Sequence, residues 1–410
     1  MTQDATKLRR ADAATYVSEK FLLGLSFRDY LRALSTPINF LAAFVIMVGL
    51  PFIAVRYIYG LGAVTHASND QPFGLFLSWG LFSGVPMAST GFIMATAVYL
   101  FGQRQYKPLV RPAVLTGFIG YFFAVIFLLI DLGRPWRLPY PMVRSFGTGS
   151  VLFLVAWHVA LYLSVQFLEF SPAVFEWLEA RRLRQWAAGL TIGATIFGVI
   201  LSTLHQSALG AMFLLAPGKL HPLWYTPYLP VLFFVSAIFC GLSVIILEAF
   251  LIYRLMPKRV DPRHFAGLDG LTLGLGKAAA ITMFAYFCLK FIAIAHEDAW
   301  PLLATPYGHM FLLEVVGFVL VPGFIFVQAT RRQSAGLARL AAALTVPGVI
   351  LNRLTVSMLA LNTDLPHRQF VHPREAIIAV AVVTIEIMLY RAVVNRLPVH
   401  CGLPADVYEH

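Results

Sequence analysis

Charge is scarce in this chain: Asp, Glu, Lys and Arg together make up 12% of it, against roughly a quarter in an ordinary soluble domain. With 59% hydrophobic residues besides, a water-soluble fold is excluded and an integral membrane protein is expected. Cysteine is scarce too. Cys240 and Cys288 lie inside apolar runs and Cys401 in the tail, with no CxxC, no CxxCH and no cysteine-rich cluster. That pattern argues against iron-sulfur clusters, c-type haem and a disulfide framework in this chain. Alternating ten-residue strand patterns are missing, which excludes an outer-membrane barrel. The first 35 residues are polar and hold no apolar segment before a small-residue cleavage site, so the first span is expected to act as its own insertion signal.

What is there instead is a series of apolar runs reaching the roughly 20 residues that cross about 30 Å of hydrocarbon as a helix. Ten can be drawn, near 37–60, 73–102, 108–132, 147–168, 186–215, 229–254, 268–295, 307–329, 337–361 and 374–396. The expected fold is therefore all-α: a bundle of about ten transmembrane helices over 37–398, preceded by a segment 1–36 and followed by a tail 399–410. Phe27 to Leu34 reads either as an ordered lead-in to the first span or as a short amphipathic helix on the membrane surface. The net charge of +11 does not indicate a nucleic-acid partner, because the excess sits in short loops beside the spans, where it sets topology. Most of the 31 basic residues fall in the amino terminus, the even-numbered loops and the tail, so both termini are expected in the cytoplasm. Arg56, Lys277, Lys290 and Arg353 fall within spans. No internal repeat stands out.

Polar groups inside hydrocarbon need partners, and here they gather. The fifth run carries His205 and Gln206 and leads into Ala216-Pro217-Gly218-Lys219-Leu220-His221-Pro222-Leu223-Trp224-Tyr225-Thr226-Pro227-Tyr228, an aromatic, proline-rich loop suited to the membrane-water boundary. With the termini inside, Asp131, His205, Lys290 and Glu314 lie towards the outer face, and Asn352 and Arg353 near or just outside the middle of the ninth span. A deeper, sparser set comprises His158, Glu386, Glu248 and Lys277. Any one acid-base pair could serve only to lock helices together; the collection suits a buried site for a polar headgroup and its protons. Carboxyls and imidazoles in such surroundings can pass protons near neutral pH.

Other uses of these groups are open. A b-type haem needs two axial ligands at matching depth on facing helices, whereas His158 and His205 fall on consecutive spans at somewhat different depths. A secondary transporter would account for ten spans, buried charge and Pro86, Pro322 and Pro347 as helix breakers, but would place its polar groups at the midplane.

Several stretches carry a family likeness: Ser83-Gly84-Val85-Pro86-Met87-Ala88 with Gly91-Phe92, Asp131-Leu132-Gly133-Arg134-Pro135-Trp136, Ser150-Val151-Leu152-Phe153, Leu204 to Gly210 continuing through Ala216 to Tyr225, and Asn352-Arg353. In these the chain, over 37 to about 398, resembles the NrfD-like membrane subunits that include the polysulfide reductase anchor. It looks closest to the ten-span, HybB-like branch found with periplasmic nickel-iron hydrogenases. The resemblance implies a subunit of the bacterial inner membrane without a redox centre of its own. Such a subunit would exchange electrons with a periplasmic, ferredoxin-like iron-sulfur protein and its catalytic oxidoreductase, and would bind menaquinone or ubiquinone near the outer face. Family quinone-site and proton-path positions map onto Tyr121, Asp131, His205 and Glu248, with Tyr225 of the loop as a further quinone ligand. Lys290, Glu314 and Arg353 would form a buried charge network. Hydrogenase-type members carry an acid where this chain has Leu154; His158, one turn further on, is expected to take its place in proton transfer.

Overall fold

Each of the ten apolar runs forms one long helix in the computed structural model, which describes residues 15–16, 18–365 and 371–400, with all of their side chains except those of 263–266. The helices are α1 (Pro37–Tyr59), α2 (Phe76–Leu100), α3 (Arg104–Asp131), α4 (Val151–Trp177), α5 (Arg181–Leu215), α6 (Leu229–Leu255), α7 (Gly267–His296), α8 (Pro306–Arg331), α9 (Ala335–Leu359) and α10 (Pro373–Arg396). Residues 1–14 of the expected leading segment and 401–410 of the expected tail, Cys401 among them, lie outside the described residues.

The helix starts follow from local chemistry. Thr36, Ser150, Thr305 and Ser334 each turn a side-chain oxygen onto the backbone N–H three residues on, and Pro37 and Pro306 occupy first-turn positions where no N–H is needed. The Ser-Val-Leu-Phe stretch is thus a helix start, with Ser150 Oγ accepting from Phe153 N at 3.4 Å. Phe27–Leu34 is a separate helix capped by Ser26, with no buried residue.

α4 continues to Trp177 and α5 begins at Arg181, so both pass well beyond the apolar runs. Tertiary pairing of the polar extension explains this. Glu176 takes a bidentate bond from Arg111 of α3 (2.6 and 3.2 Å) and lies 3.7 Å from Arg184, while Glu169 accepts from Thr195 of α5 at 2.9 Å.

Helices α2 to α5 pack as one four-helix group and α6 to α9 as another. The groups join where α6 meets α2 and α5, and where α9 meets α2; α1 and α10 pair with each other and α10 leans on α3. α2 and α6 are accordingly the most buried helices and α1 the least. Ten crossings bring the chain ends to one side, and Arg396 donates to Phe21 O at 3.1 Å there. We call that end proximal and the opposite one distal.

Several helices are not regular. Residues 76–83 and 96–100 of α2, 313–320 of α8 and 355–359 of α9 wind as π-helix, whose wide turns recur at functional sites. Pro86 and Pro322 follow two of these stretches; each lacks an N–H and crowds the carbonyl four residues back, and a widened turn absorbs both effects.

A buried distal-site candidate between two helix groups

Two polar centres lie inside the bundle. The first is carried by α3, α4 and α5. Tyr121 OH and His205 Nε2 are 2.5 Å apart, and Gln206 Nε2 donates both to that hydroxyl at 3.3 Å and to Val85 O at 3.1 Å. With its oxygen accepting from Gln206, the phenol donates to Nε2, which leaves the ring proton of His205 on Nδ1. Tyr162 stands edge-on to Tyr121 with centroids 4.6 Å apart, and accepts from Gln166 Nε2 at 2.6 Å. Tyr121, Tyr162, Gln166, His205 and Gln206 all have 0% exposure. Gly91 and Gly117 make room for the Gln166 amide; a Cβ at either position would run into it. Gln206 Oε1 is buried and finds no hydrogen-bond partner, and the buried His205 Nδ1 and Ser202 Oγ have at most loose ones, in the Leu201 carbonyl and the Tyr121 hydroxyl. Buried polar atoms left open in this way are costly, and they suit a ligand that offers both acceptor and donor.

The second centre joins α8 and α9 to the α5–α6 loop. Glu314, in the π-helical stretch of α8, accepts from Trp224 Nε1 at 3.0 Å and Asn352 Nδ2 at 2.9 Å. Arg353 donates to Asn352 Oδ1 at 2.9 Å, Ser236 Oγ at 2.6 Å and Phe233 O at 3.1 Å, and its guanidinium lies 3.7 Å from the centroid of the Phe233 ring. The Lys290 ammonium sits 5.3 Å from the Phe311 ring centroid and has no hydrogen-bond acceptor among the described residues. A cavity of about 10 Å³ beside Glu314, Tyr286 and Ser236 is just large enough for one water molecule. Asn352 thus links Glu314 to Arg353, Lys290 stands against the Phe311 and Tyr286 rings, and no direct ion pair within 4 Å joins Glu314 to either base. Phe213, stacked between Phe82 and Phe233, links this centre to α2 and to the end of α5.

Loop 216–228 is held rigidly over the second centre. Leu220 bridges Leu361, His221 N donates to Ala360 O at 2.8 Å, and Asn362 N donates to Lys219 O at 2.6 Å. The His221 ring packs on Tyr307 with centroids 4.7 Å apart. Burial holds the His221 imidazole below its ordinary pKa, against the upward pull of Asp364.

The remaining candidates stand apart from these centres. Asp131 ends α3 beside Arg56 and Glu375. The buried Arg56 donates to the carbonyls of Ile130, Asp131 (3.2 Å) and Leu132 (2.5 Å) and so caps the helix, while Glu375 accepts from Phe76 N at 3.3 Å. His158 lies one turn before Tyr162 on α4, half-buried, with Nδ1 unpartnered. Glu248 accepts from Tyr390 OH at 2.5 Å in the proximal half. Tyr225 is half-buried in the loop, where it is the neighbouring Trp224 that reaches into the bundle. Sequence reasoning did not single out Tyr162, Gln166, Glu169, Glu375 or Trp224. A phenol and an amide four residues apart on a lipid-grade helix were the available signal for the first two.

The family model "Polysulphide reductase, NrfD" matches residues 63–363. A protein of Nitratidesulfovibrio vulgaris is 43% identical over 92% of this chain and 96% of its own length. The "Probable Ni/Fe-hydrogenase 2 b-type cytochrome subunit" of Escherichia coli is 30% identical, covering 90% of this chain and 93% of that one. The "Menaquinone reductase, integral membrane subunit" of N. vulgaris is 25% identical over 74% of this chain and 75% of its own.

Proposed function

The chain belongs to the NrfD polysulphide reductase family, and from that premise we propose that it is the quinone-interacting membrane subunit of an oxidoreductase complex. The names of its hydrogenase and menaquinone reductase relatives support this class of activity. The observation that carries the assignment to a site is the fully buried Tyr121–His205 pair, 2.5 Å apart, with no close hydrogen bond on His205 Nδ1.

In this reading a menaquinone or ubiquinone ring enters from the lipid and one carbonyl accepts from His205 Nδ1. Reduction takes two electrons and two protons, and the protein supplies position and protons while the quinone carries the chemistry. Tyr121 sets the tautomer and orientation of His205, and Gln206 fixes Tyr121. Asp131 with Glu375 at the distal end, His158 beside the cluster and Glu248 with Tyr390 in the proximal half exchange protons. Tyr225, on loop 216–228, is proposed as a further contact for the quinone. Lys290, Glu314 and Arg353 hold the loop and α9 in register. The distal end faces the periplasm of a bacterial inner membrane, both termini face the cytoplasm, and loop 216–228 receives a periplasmic iron-sulfur subunit joined to a catalytic oxidoreductase. Which way electrons flow depends on that partner.

The histidines do not fit a b-type haem. His205 Nε2, the atom an iron would take, is engaged by Tyr121, and Tyr162 packs against the same ring with centroids 5.2 Å apart. Extraction and quantitation of quinone from the purified subunit, in wild type and in His205→Ala, tests the proposal. Loss of quinone in the variant supports it, and unchanged quinone content contradicts it.

A further inference from the structure

A large cavity lies away from His205, in the proximal half between α6 and the α1–α10 pair. It measures about 1000 Å³. A second cavity of about 280 Å³ continues from it along α10 towards Trp79 and Phe127, and the two share Thr116, Val244, Ile387 and Tyr390 in their walls. The larger one is open to lipid on the side of Ile38 and Leu41, which are 68% and 63% exposed.

Its walls are mostly apolar, but the polar groups are arranged by depth. Glu248 and Thr116 lie within, beside the Tyr390 hydroxyl; Arg391 and Asn395 stand towards the helix end, where Arg391 is already engaged with Asn39 at 3.1 Å. Tyr390 OH donates to Glu248 Oε1, while Glu248 Oε2 and Thr116 Oγ1 are buried and make no hydrogen bond within 3.5 Å, the Thr116 hydroxyl standing near enough to act on the carboxyl and on Tyr390. A volume of this size, apolar and with a few convergent polar atoms, has the form of a small-molecule site.

We propose that this cavity is a second binding site for a prenylated quinone, seated by its ring at Glu248 and Thr116 with the isoprenoid tail running out to lipid past α1 or along α10. A phospholipid would satisfy the site poorly. Its charged head would stop beside Arg391 and Asn395, leaving acyl chain against the Glu248 carboxyl and the Thr116 hydroxyl, neither of whose hydrogen-bonding capacity is filled. A ring carbonyl accepts from the Thr116 hydroxyl and from the protonated form of the Glu248 carboxyl, and the ring still presents an apolar body to the walls. The site holds and exchanges quinone from the leaflet nearest the chain ends; no electron transfer is assigned to it. The inference rests on the quinone reading above for the class of ligand, but not for the residues.

The test is a titration of the detergent-solubilised full chain, with any bound subunits retained, against menaquinone-4, counting equivalents bound and identifying retained lipids by native mass spectrometry. Two equivalents are expected. Glu248→Leu should weaken one of them about tenfold, the loss of one hydrogen bond. Val244→Phe, which fills the cavity without touching a polar group, should abolish the same one, and His205→Ala should remove the other. A single equivalent insensitive to both cavity variants, or phospholipid retained there that quinone does not displace, overturns the second site and leaves the His205 reading standing. One equivalent lost only in the cavity variants supports the second site and sinks the His205 reading. No bound menaquinone in wild type overturns both.

Discussion

Trp224 reaches from an extramembrane loop into the bundle and places its indole N–H 3.0 Å from Glu314, a carboxylate inside α8. The ring has 0% exposure and packs edge-on to Phe311, so one side chain ties the α5–α6 loop to the second polar centre. Trp224→Phe keeps the aromatic contact and removes the donor. It should cost about 1–3 kcal/mol, because a buried acceptor loses a partner. The midpoint of thermal unfolding in detergent reads this directly, and an unchanged midpoint would show that the contact does not hold the loop.

Arg56 is a positive charge that the sequence leaves within a span, and the structure places it in the last turn of α1. Its guanidinium meets the last carbonyls of α3, the groups a helix cannot satisfy for itself. Arg56→Met should loosen the final turn of α3 while the rest of the bundle stays folded. Hydrogen exchange at Leu132, whose N–H bonds Leu128 O at 2.9 Å, should quicken markedly. Exchange as slow as in wild type would mean that the cap is dispensable.

Tyr121→Phe retains the ring packed against Tyr162 and removes the hydroxyl that orients His205. Quinone turnover in the intact complex should fall by about 10²-fold, the lower range for a group assisting proton transfer, with a smaller change in KM. A change confined to KM would assign Tyr121 to binding alone.

His221 is held below its ordinary pKa by burial, so the unfolded chain binds its proton more readily. Its contribution to stability is complete above its ordinary pKa of about 6.5 and is lost as pH falls through the folded value. Between pH 7 and 5 the unfolding midpoint of wild type should therefore fall more steeply than that of His221→Asn, which keeps an acceptor near the Leu223 N–H. Parallel pH profiles for the two proteins would contradict this.

The helices were legible in the sequence because hydrocarbon imposes length and apolarity on every span, and ten runs met both demands. The ends of α4 and α5 were not legible. Glu169 and Glu176 read as the close of a span until Thr195, Arg111 and Arg184 are found beside them, and such pairing depends on which helices become neighbours. The same holds for the candidate site. His205 announced itself as an imidazole in a lipid-grade helix, and Tyr121, 84 residues earlier, lies against it. Asp131, grouped with His205 by depth and by the family likeness, sits with Arg56 and Glu375, because depth fixes a layer of the membrane and says nothing about position within it. Trp224 was hidden by its loop: a tryptophan there suits the interface equally well, and only the fold turns it inward onto Glu314.

The central claim is that quinone is held at His205. The most direct measurement is the quinone content of the purified subunit, extracted and quantified per chain alongside its visible spectrum, for wild type, His205→Ala and the cavity variant Val244→Phe. Wild type should carry menaquinone or ubiquinone, and His205→Ala should lose a portion which Val244→Phe retains. Quinone content that His205→Ala leaves unchanged, or a reducible b-type haem band that disappears with His205, would contradict it.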